Sequence, residues 1–416
     1  MDWPFYDETQ LSESIANLAM TKKTSTPPST RATRQRHDLA QTDAYEVLQQ
    51  LREQEFDSQS ELARKCGISA PRLSAAISLL AKKGLAERPG RHGSLRINSG
   101  YGHVIGVDIG GSNMRIALAD MKGTVLSKWS TSTKRTSSPD MVIEQIRTGV
   151  THLLEQASVP RRSLLAIAAG APGITDANSG VVVATSYLKG WRNVPFRSLL
   201  ESAFHIPATV ENDVRLAAIG ENSAGAARGV RNFVFLAIGT GIAAGIFANG
   251  KLVHGSDSTA GEVGYMHVPG TPEEAAKRGA PGSLESTIGG EGVRQQWLRI
   301  CWEAGVPPDR DLNATEIFEH AHAGDVHATA VLHHSARVLA YAVYNISLVL
   351  NSALFVLGGG VGMSAPLRDA TQSCLDQYNE PVPPKLIISS LGPDAQLIGA
   401  IRLALNTAEA HIGLKL

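Results

Sequence analysis

The spacing of hydrophobic and polar positions divides this chain into parts with different periods. From Ala44 the apolar residues Val47, Leu48 and Leu51 share one helical face, and a second apolar block begins after Asp57. Ser58-Gln59-Ser60-Glu61 has the form of a capping box, in which the Ser hydroxyl accepts from the backbone three residues on and the Glu reaches back. The helix it opens is short, because Gly67 follows Cys66 as a stop. Ser69 can cap the next helix, and Pro71 falls in its first turn, where a missing N–H costs nothing. That helix carries Leu73, Ala76, Ile77 and Leu80 to Gly84. Two helices joined by so tight a glycine-containing turn predict a helix-turn-helix. Residues 85–97 then predict two short strands around a glycine-rich basic tip, the wing of a winged helix.

Beyond Gly100 the helical period gives way to strands punctuated by glycine. Val104–Asp108 is an apolar strand, Ile109-Gly110-Gly111-Ser112-Asn113 a turn, and Met114–Asp120 an alternating strand closed by Lys122-Gly123. The plan recurs in Val234–Ile238, Gly239-Thr240-Gly241 and Ile242–Phe247, with Asn249-Gly250 as the following turn. These glycines join strand to strand instead of strand to helix, which excludes a dinucleotide-binding fingerprint. Each hairpin alone is either a tight turn packed for its own sake or a cradle whose consecutive N–H groups meet a phosphate. The pair suggests an internal duplication, two lobes whose turns face each other across a cleft. Leu354–Leu357 is a further apolar strand running into Gly358-Gly359-Gly360, suited to close approach of adenine and ribose. Asp108 at its strand end would suit a hydrated Mg2+. Val210-Glu211-Asn212-Asp213 ends another strand just before the amphipathic helix Val214–Glu221. Asp213 there is either a general base for a sugar hydroxyl or only a helix cap.

Composition adds exclusions. Hydrophobic residues make up 43% of the 416, enough for a substantial core, but no apolar run approaches the roughly 20 residues of a membrane-spanning helix. Met1–Gln10 carries acidic residues and not a basic segment followed by an apolar one, so a cytoplasmic protein is expected. Cys66, Cys301 and Cys374 are too few and too scattered for a disulfide framework or a Cys-rich metal site. Charge is balanced, 39 basic against 39 acidic residues, yet Arg31–Gly100 holds 12 Lys and Arg against 8 Asp and Glu. Positive charge thus collects on the helix-turn-helix, where DNA would want it. Ser69, Arg72 and Ser74 on the second helix are candidates for base edges, and Arg88, Arg91 and Arg96 of the wing for phosphates or the minor groove. The same helices and hairpin could instead form a plain interaction domain. Residues 1–37, rich in Ser, Thr and Pro at their C-terminal side, are expected to be a flexible tail, followed by a DNA-binding domain at 38–100 and lobes at 101–220 and 221–416.

These motifs in this order, over nearly all of 44–416, resemble the ROK family of repressors, open reading frames and sugar kinases. Asp108-Ile109-Gly110-Gly111-Ser112 is similar to its first phosphate motif, Ile238-Gly239-Thr240-Gly241 to the second, and Leu357-Gly358-Gly359-Gly360 to its adenosine segment. Glu211-Asn212-Asp213 resembles the motif whose Asp is the catalytic base in the kinases. Ala260-Gly261-Glu262-Val263-Gly264 and Gly282-Ser283-Leu284-Glu285 resemble its two sugar-contacting signatures. The resemblance implies an α/β, actin/hexokinase-like two-lobed ATPase (ribonuclease H-like) fold preceded by a winged helix-turn-helix, assembled as a homodimer or homotetramer. It also implies Asn212, Asp213, Glu262, Tyr265 and Glu285 as sugar contacts. Three departures stand out. Tyr265 replaces a usual zinc-ligating His; the loop Ala276-Lys277-Arg278-Gly279-Ala280-Pro281-Gly282-Ser283 has none of the usual Cys; and in Thr185-Ser186-Tyr187-Leu188-Lys189-Gly190-Trp191, which resembles the family's sugar-side Pro-Asn-Leu-x-Gly-Trp segment, Tyr187 replaces the Asn, so a sugar other than glucose is open. Zinc is therefore not expected, since a closed site needs three or four N or S ligands.

The expectation is a sugar-responsive DNA-binding regulator, a repressor by family pattern, whose partners are operator DNA and a sugar or sugar phosphate and which needs no cofactor to bind DNA. The alternative is an ATP-dependent sugar kinase, using ATP and Mg2+, that carries a DNA-binding domain. A non-catalytic scaffold is the third reading.

Overall fold

The computed structural model describes residues 28–414 except 89–92, 112, 134–135, 186, 275–279 and 379–380, with backbone alone for 28–38. Helices α1 (Pro28–Glu53), α2 (Gln59–Cys66) and α3 (Ala70–Lys82) lead into the antiparallel pair β1 (Ala86–Glu87) and β2 (Arg96–Ile97). Phe56 bridges to Leu95 and extends that hairpin. Val47, Leu48 and Leu51 of α1 bury against Leu62, Leu73 and Leu80, as the helical spacing requires. Gly67 ends α2 at φ +64°, and Pro71 sits in the first turn of α3.

Two expectations about this region change. Ser58 stands at the N-cap of α2 with extended backbone, but neither its hydroxyl nor that of Ser69 before α3 makes a capping bond. The Ser58 carbonyl accepts the first helical bond, from the Leu62 N–H, without a side-chain cap on the N–H groups before it. Helix α1 also starts at Pro28, inside the span read as a tail. Proline is preorganised for a first helical turn, and extending an existing helix needs no new nucleus.

The N-terminal lobe holds β3 (His103–Ile109), β4 (Asn113–Asp120), β5 (Val125–Ser132), α4 (Pro139–Gln156), β6 (Leu164–Ala171), a small sheet of β7 (Ile174–Asp176), β8 (Val181–Ala184) and β9 (Arg192–Val194), α5 (Phe196–Phe204), β10 (Ala208–Asn212) and α6 (Asp213–Ala224). The C-terminal lobe holds β11 (Phe233–Ile238), β12 (Ile242–Ala248), β13 (Lys251–Leu252), α7 (Ser283–Ile288), α8 (Gly290–Glu303), α9 (Ala314–His322), α10 (Val326–Leu350), β14 (Leu354–Gly358), α11 (Gly359–Gly362), α12 (Ala365–Leu375), β15 (Lys385–Ile388) and α13 (Ala395–His411). The large sheets run β5-β4-β3-β6-β10 and β13-β12-β11-β14-β15. In both, the first three strands are antiparallel neighbours and the last two add in parallel beside the first. The duplication expected from the two glycine hairpins is thus present in the strand order.

Each face of a buried sheet needs a cover. On β3, Ile105, Val107 and Ile109 face α4 and α5, whereas Val104, with Ala117, Ala119, Ala166 and Ala168, faces α13. A Cβ at Gly106 would lie 2.9 Å from the Ile401 backbone nitrogen, so α13 rests directly on the sheet there. Although last in sequence, α13 therefore covers the N-terminal lobe, and α6 crosses the boundary placed at 220 to pack on both sheets. The two helices cross backbone to backbone. A Cβ at Gly399 would come 1.8 Å from the Leu216 carbonyl oxygen, and one at Gly220 2.2 Å from that of Ala395.

The N-terminal domain shares this core. Leu48, Leu51, Leu85 and Ile97 belong to one apolar cluster with Leu397, Ile401, Leu405 and Leu414. Polar groups complete the junction: Arg52 and Glu409 form a buried ion pair, with 7% and 1% of their side chains exposed. Arg52 Nε also donates to the Met121 carbonyl at 2.9 Å, and Gln49 Nε2 to Glu409 at 3.1 Å. Lys83 Nζ reaches the Ile412 carbonyl at 2.5 Å. Among the described residues no helix is long and apolar enough to cross a membrane.

Candidate functional site

The cleft between the lobes is built from strand ends. The β3–β4 register places Asp108 opposite Arg115, and Arg115 Nε and a terminal nitrogen donate to Asp108 Oδ2 at 3.0 and 2.5 Å. Burial pushes the Asp108 carboxyl up while Arg115 opposes the shift. Arg115 extends toward Asp394, 3.6 Å away, which also binds Lys128 at 2.6 Å. Gly110 closes the turn, its N–H donating to Asn113 at 2.8 Å. Ser112 lies outside the described residues.

In the matching turn of the other lobe, the Gly239 N–H donates to the Gly241 carbonyl at 2.9 Å. Glu285 braces this turn by accepting from the Ile242 N–H at 3.0 Å. The structure separates the glycines expected at the adenosine segment. A Cβ at Gly358 would strike the Phe235 ring at 2.3 Å, and Gly359, at φ +77°, lies against the Ile238 carbonyl. Both are required by packing, whereas Gly360, like Gly239, faces open space.

Asn212 caps α6. Its Oδ1 accepts from the Arg215 N–H at 3.0 Å and its amide donates to the Gly173 carbonyl at 2.9 Å. This settles which residue holds the helix start and leaves Asp213 as the first residue of α6. Asp213 Oδ1 accepts from Asn212 Nδ2 at 3.0 Å and from the Val214 N–H at 2.9 Å. Its carboxyl is pushed up to about 7 by burial, then by the field of Asp108, with Glu262 adding to it. Glu262 is itself raised by burial, with Arg215 opposing and Glu285 reinforcing. The carboxylates expected to meet sugar hydroxyls therefore share one field. Tyr265 is 53% exposed.

Beneath the carboxylates lies a network that the sequence did not signal. Buried Glu211 accepts from Arg215 at 2.9 Å and lies 2.7 Å from His254 Nε2, joining the end of β10 to the segment after β13. Arg215 also donates to the carbonyls of Ser258 and Thr175. By contrast, Arg115 was findable, because a short hairpin turn fixes which β4 residue faces Asp108.

Because Asp213 titrates near neutrality, sugar affinity is expected to rise between pH 6 and pH 8, as the carboxyl becomes a pure acceptor. Stability moves the other way. A buried acid with a raised pKa favours the fold below its unfolded value, near 3.8, and that contribution is lost as pH climbs to about 7. Asp213→Asn is then expected to exceed the parent in stability by about 1–3 kcal/mol at pH 8, with the two converging near pH 4 in urea titrations.

On the N-terminal domain, Ser69, Ser74 and Arg88 are exposed as expected. Arg72 is exposed too, but its guanidinium reaches back to Asp43 on α1, with Nε at 2.8 Å. Arg96 pairs with Glu87 at 2.8 Å. Arg91 falls outside the described residues. Arg64 and Lys65, exposed in the last turn of α2, are further cations of this domain beyond the residues singled out from sequence. Among the described residues no three His, Cys, Asp or Glu stand close enough together to hold a metal ion; residues 275–279 of the loop without Cys are not among them.

Comparison with known proteins bears on the whole arrangement. The ROK family model matches residues 104–407, spanning both lobes. The glucokinase of Halalkalibacterium halodurans is 30% identical over 309 residues, covering 71% of this chain and 92% of its own. A xylose repressor of Caldicellulosiruptor bescii is 24% identical over 395 residues, covering 88% of this chain and 96% of its own. A match of that extent must enter the N-terminal domain, because residues 104–416 alone fall short of it. A solved ROK-family transcriptional regulator, described as a homologue of the E. coli MLC protein, superposes with a TM-score of 0.77 at 21% identity, covering 90% of this chain and 98% of that one. At that identity the likeness establishes the fold.

Proposed function

The chain belongs to the ROK family and has its two-lobed sugar-kinase-like fold, and from this we propose that it is a DNA-binding repressor of carbohydrate-utilisation genes, controlled by a sugar or sugar phosphate in its cleft. The observation that carries the reading is the continuous packing from cleft to N-terminal domain. Asp213 begins α6, α6 crosses α13 with no side chain between, and α13 holds Arg52 through Glu409. A sugar that draws Asp213, Glu262 and Glu285 together moves α6, and α13 carries the displacement to α3 and the wing. A ligand that binds the two lobe arrangements differently shifts the DNA affinity by that same difference. Among the relatives, the xylose repressor aligns through the N-terminal domain as well as the lobes, which supports the same reading.

The test is a fluorescence anisotropy titration of the full chain against duplexes selected from a random-sequence pool, with and without hexoses, pentoses and their phosphates. Selected duplexes are expected to bind at least about a thousandfold tighter than random ones, with log affinity falling linearly in log salt. Arg88→Ala is expected to weaken binding to all duplexes alike and to lower the salt slope by about 1. Absence of both sequence preference and salt dependence would sink the reading.

One observation favours a second reading, that of an ATP-dependent sugar kinase: Asp213 titrates near neutrality, where a general base is most effective. Sugar-dependent ADP release that Asp213→Asn abolishes would establish it.

A further inference from the structure

We propose that Tyr187 closes the cleft to nucleoside triphosphates and so makes it a pocket for a sugar without a phosphoryl donor; the proposal rests on the regulator reading above and identifies its ligand class. The Tyr187 ring lies against the first glycine turn, where a Cβ on Gly111 would come 2.8 Å from the ring carbon Cδ1. Its hydroxyl lies 3.3 Å from Thr240 Oγ1 and as far from where a Cβ on Gly241 would stand. The phenol thus spans from one phosphate turn to the other. A triphosphate shared by the two turns would need that space for its terminal phosphates.

The backbone that carries the ring is anchored around it. The Tyr187 N–H donates to Thr185 Oγ1 at 3.1 Å, Leu188 is buried next to it, and the Trp191 indole donates to the Ser137 carbonyl at 3.0 Å. Asp108 points the same way. A hydrated Mg2+ accompanying a triphosphate would need its carboxylate, and Arg115 already donates to Oδ2 twice. With the ring in that place the terminal phosphates do not fit, and Mg2+ would have to share Asp108 with Arg115, although the glycine turns themselves remain. Tyr187 makes none of the hydrogen bonds of Asp213, Glu262 or Glu285 described above, and its hydroxyl and Glu285 Oε2 both border Gly241, 3.3 and 3.1 Å from where a Cβ there would stand.

The test is calorimetric titration of the full chain with a non-hydrolysable ATP analogue and Mg2+, using the parent protein, Tyr187→Phe, Tyr187→Asn and Tyr187→Ala, with a thermal melt of each. Removing the ring is expected to tighten binding by about tenfold or more, because the parent must first displace the ring and its apparent affinity is reduced by the fraction that does so. Tyr187→Phe keeps the ring and is expected to stay with the parent. The proposal is overturned if the parent binds the analogue within twofold of the Asn or Ala variant, whichever is folded. A sugar and sugar-phosphate thermal-shift panel runs beside it. No sugar-induced shift alongside a nucleotide gain in the variants would remove the sugar-responsive reading and leave nucleotide exclusion intact.

Discussion

Replacing Arg52 by Ala is expected to cost the chain about 3–5 kcal/mol in urea unfolding, as much as truncating a buried core side chain. The guanidinium is the counter-charge of Glu409, a carboxylate that is 1% exposed, and it also donates to the Met121 carbonyl. Truncating it leaves an anion and a carbonyl oxygen buried among apolar side chains. Gln49, at 3.1 Å, supplies a neutral donor that is too weak to compensate. The double replacement Arg52→Met with Glu409→Leu removes both charges and is expected to be close to neutral in stability. Its effect should fall on control. Saturating sugar, which in the parent is expected to change DNA affinity by about 5–150-fold, should change it far less in the double variant. Equal sugar responses in the two proteins would show that this ion pair is structural alone.

Gly399→Ala is expected to lose about 3 kcal/mol or more, at or above the upper end of ordinary overpacking. The added methyl would lie 1.8 Å from a backbone carbonyl oxygen, and a backbone cannot swing aside as a flexible side chain would. The α6–α13 crossing has to open instead. Since Asp213 is the first residue of α6, sugar affinity should fall with stability. Gly360→Ala is the matching control, because a Cβ there meets nothing within 4 Å and its expected effect is within about 0.5 kcal/mol. Similar unfolding midpoints for the two variants would contradict the close crossing.

How much of this was legible in the sequence varied with the range of the interaction. Strand, turn and helix positions came from short-range pattern: Val104–Asp108, the Gly110-Gly111 turn and the Gly67 stop all lie where spacing put them. Each depends on neighbours within a few residues. The capping box failed because Ser-x-x-Glu specifies a possible bond, whereas an exposed helix start can leave its N–H groups to water. The cleft residues were legible as motifs, but the partners that tune them were less so. His254 against Glu211 and Tyr187 against Thr240 join segments 43 and 53 residues apart in sequence, and no periodicity encodes such pairings. The packing of α6 on both sheets, across residue 220, was hidden for a similar reason. The small residues Gly106, Ala117, Ala119, Ala166 and Ala168 read as ordinary strand positions, and only the folded chain shows that together they form the bed for α13.

That bed has a consequence for the birth of the protein. Residues 44–97, which emerge early from the ribosome, have their apolar cluster completed by residues 397–414. At about 5–20 residues per second, roughly 15–60 s pass between the two. For that interval the nascent domain exposes Leu48, Leu51 and Leu85 beside an Arg52 with no counter-ion. The domain proposed to bind DNA is thus made before the helix that completes its core. A chain broken off before α13 would carry the N-terminal domain without the apolar residues that complete its core, so truncated products are expected to lack a stable copy of that domain.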